Sequence, residues 1–156
     1  MTTTKKIYIS ISWVAVAICM GIIFCLSAQN GEESSDLSGS FVMIILNFLG
    51  LFVDEGILRI IAHCLEFMGL SVLTFNAVYT TWQLKLTPVI AFAGTVFYAI
   101  TDEFHQIFVP GRAFQLTDIL IDSTGALIGV IASLILLKII LYIKERRNKN
   151  GSTQAL

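Results

Sequence analysis

Charge is what this chain lacks. Only 13% of its 156 residues are Asp, Glu, Lys or Arg, against roughly a quarter in an average soluble domain. Ten basic and eleven acidic side chains leave a net charge of −1. That gives no basic excess to hold a phosphate backbone, so nucleic acid is not expected as a partner. Cysteine is scarce as well. Cys19, Cys25 and Cys64 are odd in number and form no C-x-x-C, which argues against a disulfide framework and a cysteine zinc site. All three lie in apolar segments and read as buried thiols. What remains is largely oil: 56% of the residues are hydrophobic and the mean hydropathy is +0.82. A soluble domain of this size could not hide so much apolar surface. The composition predicts one all-α, multi-pass membrane domain over residues 1–156.

Two lysines precede an apolar run from Ile7 to Leu26, long enough to cross one bilayer core. That run exceeds a signal-peptide core and is followed by a poor cleavage site, so a retained first span over 7–26 is expected. The stretch SAQNGEESSDLSGS, Ser27 to Ser40, is polar and turn-rich and must lie outside the hydrocarbon. Phe41 to Val53 is apolar but too short to cross upright, which predicts an interfacial or re-entrant helix over 38–53. Further spans are expected at 57–79, 88–107 and 117–143. Pro88 suits the first turn of the third span. Pro110-Gly111 predicts a tight turn after it, and Thr117 is a candidate N-cap for the fourth. The tail, 144–156, is basic and then polar, and its end is expected to be disordered. Trp13 and Trp82 read as membrane anchors. The expected fold is thus four transmembrane helices plus one short helix.

Lysine and arginine set the expected orientation. With both termini in the cytoplasm, Lys5, Lys6, Lys85, Lys144, Arg146, Arg147 and Lys149 all fall inside, and only Arg59 and Arg112 lie toward the outside. The ionisable residues within the spans then share one depth near the outer leaflet. Helical spacing groups them into faces. Arg59, His63 and Glu66 form one stripe. Asp118, Asp122, Gly125 and Gly129 form another, in which the glycines allow close helix approach. Tyr98, Asp102 and His105 form a third, from which Glu103 points away. A charge facing lipid is costly, so the three stripes are expected to face one another around an outward-open polar pocket. An internal ion-pair network that holds the bundle together is the plainer alternative.

Five acids, Glu66, Asp102, Glu103, Asp118 and Asp122, face two fixed cations, Arg59 and Arg112. Protonation, a charged histidine, a divalent metal or a cationic ligand group would compensate. No spacing matches a metal signature, so no cofactor is predicted, and a divalent metal stays as an alternative that the His/Asp/Glu cluster could ligate. If the site binds, Arg59 and Arg112 would hold phosphate or carboxylate oxygens, with Glu66, Gln106 and Asp122 beside them. If it is catalytic, His105 or His63 would act as general base, oriented by Asp102, Glu103 or Asp118. Transport through the acidic cluster is disfavoured, because the inner half of the bundle has almost no ionisable residues.

Four pieces of sequence occur in the order expected of one family. They are S-A-Q-N-G-E-E-S-S-x-L-S at 27–38, R-x-x-x-H-x-x-E-F-x-x-L at 59–70, D-E-F-H-Q-x-F-V-P-G-R-x-F-x-x-x-D at 102–118, and D-x-x-G-x-x-x-G at 122–129. Over about residues 20–132 the chain resembles the VanZ-like family of small bacterial membrane proteins. Ser123 stands where such proteins often carry asparagine, and Phe67 where tyrosine is common. The resemblance adds Ser27 and Gln29 to the candidate ligand-binding residues, which otherwise read as ordinary loop polarity. It implies the bacterial cytoplasmic membrane, and a link to teicoplanin-type glycopeptide resistance or envelope homeostasis. The implied partner is a membrane lipid or lipid-linked envelope precursor. The competing expectation is an outer-leaflet transferase or hydrolase acting on a lipid-linked phosphate.

Overall fold

The computed structural model describes residues 2–28 and 55–153. Gln29 and the short helix expected over 38–53 lie outside the described residues. Four helices make up the described fold: α1 (Thr3–Ser27), α2 (Glu55–Trp82), α3 (Thr87–Gln106) and α4 (Leu116–Thr153). No strand occurs among the described residues. α2 is the centre of the bundle, touching all three other helices and packing most extensively on α4. α1 lies on α2 and more lightly on α3, and does not reach α4.

Three helices are long and apolar enough to cross a membrane: Thr3–Ser27, Gly56–Trp82 and Leu116–Lys149. Of the four expected spans, α3 falls short of that standard, since its last turns carry Asp102, Glu103 and His105. Ile11, Val14, Ile18, Phe97, Leu120 and Ile140 are among the many large apolar side chains on the surface. The interior mixes small and polar residues with a few large ones: Ala77, Ala91, Ala99, Ala126 and Ser71 are wholly covered, as are Phe67, Leu70 and Ile23. This distribution suits lipid outside and close helix packing inside. Gly125 and Gly129 provide the closest packing. A Cβ at Gly125 would strike the Cys64 carbonyl, and one at Gly129 would strike Ser71 and the Met68 carbonyl.

Several boundaries differ from the sequence expectation. α2 continues past Tyr79 to Trp82, with the Thr80 and Thr81 hydroxyls turned back onto the Asn76 and Ala77 carbonyls. It stops at Gln83, whose φ of 53° is left-handed. α4 runs beyond Ile143, through the tail expected to be disordered at its end, as far as Thr153. Residues 144–149 are mostly good helix formers, and Glu145 pairs with Lys149 one turn on at 2.8 Å. α4 begins at Leu116, so Thr117 is inside the helix and does not cap it.

The α3–α4 link follows its turn chemistry. The Arg112 N–H donates to the Val109 carbonyl at 3.1 Å, with Pro110 and Gly111 between them. Gly111 has φ 78°, which is the left-handed third position of a type II turn.

The far end of the bundle from this turn is held by polar contacts between α1 and α2. Asn76 Nδ2 donates to Ser12 Oγ at 3.2 Å, and Trp13 Nε1 donates to Thr81 Oγ1 at 3.0 Å. Trp13 and Trp82 meet edge to face at 6.0 Å. The two tryptophans expected to act as separate anchors therefore also tie the helices together.

Candidate functional site

The ionisable side chains gather at one end of the bundle. This end holds the C-terminal ends of α1 and α3 and the N-terminal ends of α2 and α4. On α2 and α4 the sequence stripes meet directly. Arg59 Nη2 donates to Asp118 Oδ2 at 2.8 Å. One turn further in, His63 Nδ1 lies 3.2 Å from Asp122 Oδ1. Glu66 continues the α2 stripe and lies within electrostatic range of His63, Asp122, Asp102 and Arg112. The α2 and α4 stripes thus converge as their spacing predicts.

The α3 face is rotated from expectation. Its buried residues are Thr87, Ala91, Thr95, Ala99, Asp102, Glu103 and Gln106. Glu103 points inward and is wholly buried, contrary to the reading that placed it away from the stripe. The reason lies in packing: α2 and α4 both press on α3, so its covered arc includes Asp102 and Glu103 together. Tyr98 and His105 lie at the flank of this arc, toward α1. The Tyr98 hydroxyl donates to the Met20 carbonyl at 2.6 Å, and the His105 ring packs on Phe24 at 4.2 Å.

Glu103 also sets the start of α4, since its Oε2 accepts the Gln115 backbone N–H at 2.9 Å. Gln115 was not anticipated. It contributes only its backbone, so its side-chain type carries no signal. Phe24 was missed for a similar reason, being one aromatic in an apolar span.

Asp102 joins α3 to α1. Ser27 Oγ donates to Asp102 Oδ2 at 2.8 Å, and Gln106 Nε2 donates to Ser27 Oγ at 3.1 Å. Ser27 is therefore a buried member of the cluster and not ordinary loop polarity.

Arg112, in the link, lies in the electrostatic field of Asp102, Glu103, Asp118 and Arg59. Burial, and then the Arg59 guanidinium, pull it below the usual arginine value, while the three acids push it back up. Its charge persists in either case, because an arginine starts so high.

A further group of atoms has no hydrogen-bond partner among the described residues. It comprises Asp102 Oδ1, Glu103 Oε1, Gln106 Oε1, Asp122 Oδ2 and His105 Nδ1, all buried. Buried polar atoms are nearly always paired, so these five gather where water, a proton or a donor from a ligand would be taken up. Among the described residues no group of three or more His, Cys, Asp or Glu is placed to hold a metal ion.

Large aliphatic side chains outside, and charges gathered between helices, define a helical membrane protein. More particularly, the chain belongs to the VanZ/LLP1 family, which matches residues 12–138. No curated protein and no solved structure matches it.

Proposed function

We propose that this chain binds the polar head group of a membrane lipid or lipid-linked envelope precursor. In this reading four helices cross the bacterial cytoplasmic membrane, with α3 as the most polar span. Both termini are cytoplasmic, and the ionisable end lies at the outer leaflet. The observation that carries the reading is the set of buried, unpartnered acceptor oxygens on Asp102, Glu103, Gln106 and Asp122, beside Arg59. Arg59 is 47% exposed and keeps N–H donors beyond the one given to Asp118, as an anion at the rim requires. Through such a ligand the chain would influence how the envelope meets teicoplanin-type glycopeptides.

Mass spectrometry of lipids that copurify with the chain tests this. The expected result is one amphiphile enriched over its share of the membrane, with the enrichment lost in Asp102→Asn. Copurified lipid of bulk composition contradicts it.

The His63–Asp122 contact favours a second reading, an enzyme acting on a lipid-linked phosphate. A carboxylate on Nδ1 fixes the imidazole tautomer and leaves Nε2 to accept a proton. This assigns the general base to His63, with Asp122 orienting it, in preference to His105. A His63→Gln chain that restores glycopeptide tolerance in cells as well as the wild type contradicts this second reading.

A further inference from the structure

α4 is longer than the bundle it belongs to. Its 38 residues measure about 57 Å, against a hydrocarbon core of about 30 Å. The surplus is at its C-terminal end. The 59-residue offset that pairs Arg59 with Asp118 and His63 with Asp122 sets Trp82, the last residue of α2, level with Leu141. Beyond that level, residues 142–149 are exposed on every side of the helix. At about 100° per residue, Leu136, Ile139, Ile140 and Ile143 share one face of α4, and Lys144, Arg146 and Arg147 continue it. The four aliphatic side chains and the three cations are all exposed. Glu145 falls on the opposite face, where Lys149 pairs with it at 2.8 Å, and Lys138 lies on that side also. One face therefore runs from apolar to cationic within about three turns and carries no acid. Lys5, Lys6 and Lys85 stand at the same end of the bundle but on other elements.

We infer that this face of α4 docks an anionic phospholipid, with its acyl chains along Leu136, Ile139, Ile140 and Ile143 and its head group on Lys144, Arg146 and Arg147. The inference is independent of the ligand proposed at the ionisable end. Aliphatic side chains on the outside of a span meet lipid tails, and a basic residue one turn on reaches the phosphates with its stem laid over the apolar strip. A soluble acidic partner would use the cations and leave the strip uncovered. A second copy in the same orientation would bring cation against cation. A zwitterionic phospholipid offers a phosphate but no net charge, whereas each basic residue beside an anionic surface favours that surface about fivefold.

The test uses the full-length chain reconstituted in vesicles of equal parts phosphatidylglycerol and phosphatidylcholine, followed by native mass spectrometry of retained lipid. Phosphatidylglycerol is expected to be retained at least about fivefold over phosphatidylcholine, the factor that one basic residue is worth. Lys144→Gln, Arg146→Gln and Arg147→Gln together should bring the ratio toward one. Lys5→Gln, Lys6→Gln and Lys85→Gln together remove as much charge from the same end and should keep most of the preference. All six side chains are exposed, so neither triple change removes packing from the bundle.

Equal retention of the two lipids by the wild type overturns the inference and leaves the cations to a soluble polyanion. A preference that both triple variants lose alike overturns it too, since it then belongs to the net charge of that end and not to the face. So does a preference that survives the α4 triple change. A preference that Asp102→Asn abolishes and the α4 triple change does not belongs to the ionisable end, which overturns this inference and leaves the proposed head-group site standing.

Discussion

His63 and Asp122 meet across the α2–α4 interface at the same sequence offset, 59 residues, as Arg59 and Asp118 one turn away. A constant offset means that α2 and α4 run parallel and in register. α3 therefore serves as the crossover that returns the chain to the same end of the bundle. Continued inward, this register brings Gly125 to the Cys64 carbonyl and Gly129 to Met68 and Ser71. The polar pairs and the glycine contact belong to one seam.

The two polar pairs on this seam should differ in what they contribute. Asp122 is wholly buried, whereas Arg59 is about half in the open. Asp122→Ala, which leaves a buried histidine without its acceptor, should destabilise the fold by about 1–3 kcal/mol. Asp118→Ala should cost less than about 1 kcal/mol, because the Arg59 head remains solvated. Denaturant titration in detergent measures both, and the reverse order contradicts the assigned geometry.

At the glycines, Gly129→Ala should cost about 1–3 kcal/mol, since the added methyl meets Met68 backbone as well as the Ser71 side chain. Gly69→Ala is the control. A Cβ there has nothing within 4 Å, so its effect should stay within about 0.5 kcal/mol or stabilise the helix. Thermal unfolding of the two variants separates a packing role from helix propensity.

Glu103 should act as a positioning residue for α4. Removing its acceptor in Glu103→Ala frees the Gln115 amide, whose hydrogen exchange should accelerate by about tenfold, as loss of a hydrogen bond to a charged group implies. Glu103→Gln keeps an acceptor oxygen and should restore most of the protection. Equal exchange in all three chains contradicts the cap.

Spacing along the chain was enough to find the α2 and α4 stripes, because a helix repeats every 3.6 residues and charge is rare here. Proline and glycine chemistry likewise announced the turn at Pro110-Gly111. The face of α3 was not legible. Asp102, Glu103, His105 and Gln106 are adjacent enough to support more than one stripe, and the choice depends on which neighbours press on the helix. The Ser12–Asn76 and Trp13–Thr81 bonds at the other end were also invisible. Serine, threonine and asparagine satisfy themselves locally in a helix as readily as across one. The extension of α4 to Thr153 was missed because loss of hydropathy marks the end of a span and not the end of a helix.

The central claim is that a lipid head group sits among α2, α3 and α4 at the ionisable end. Labelling with a zwitterionic phospholipid photoactivatable in its head group, followed by peptide mapping, tests it most directly. The account predicts adducts concentrated on residues 59–66 and 102–122 and reduced in Asp102→Asn. Adducts concentrated at the Trp13 and Trp82 end, or spread evenly over both ends of the helices, would contradict it.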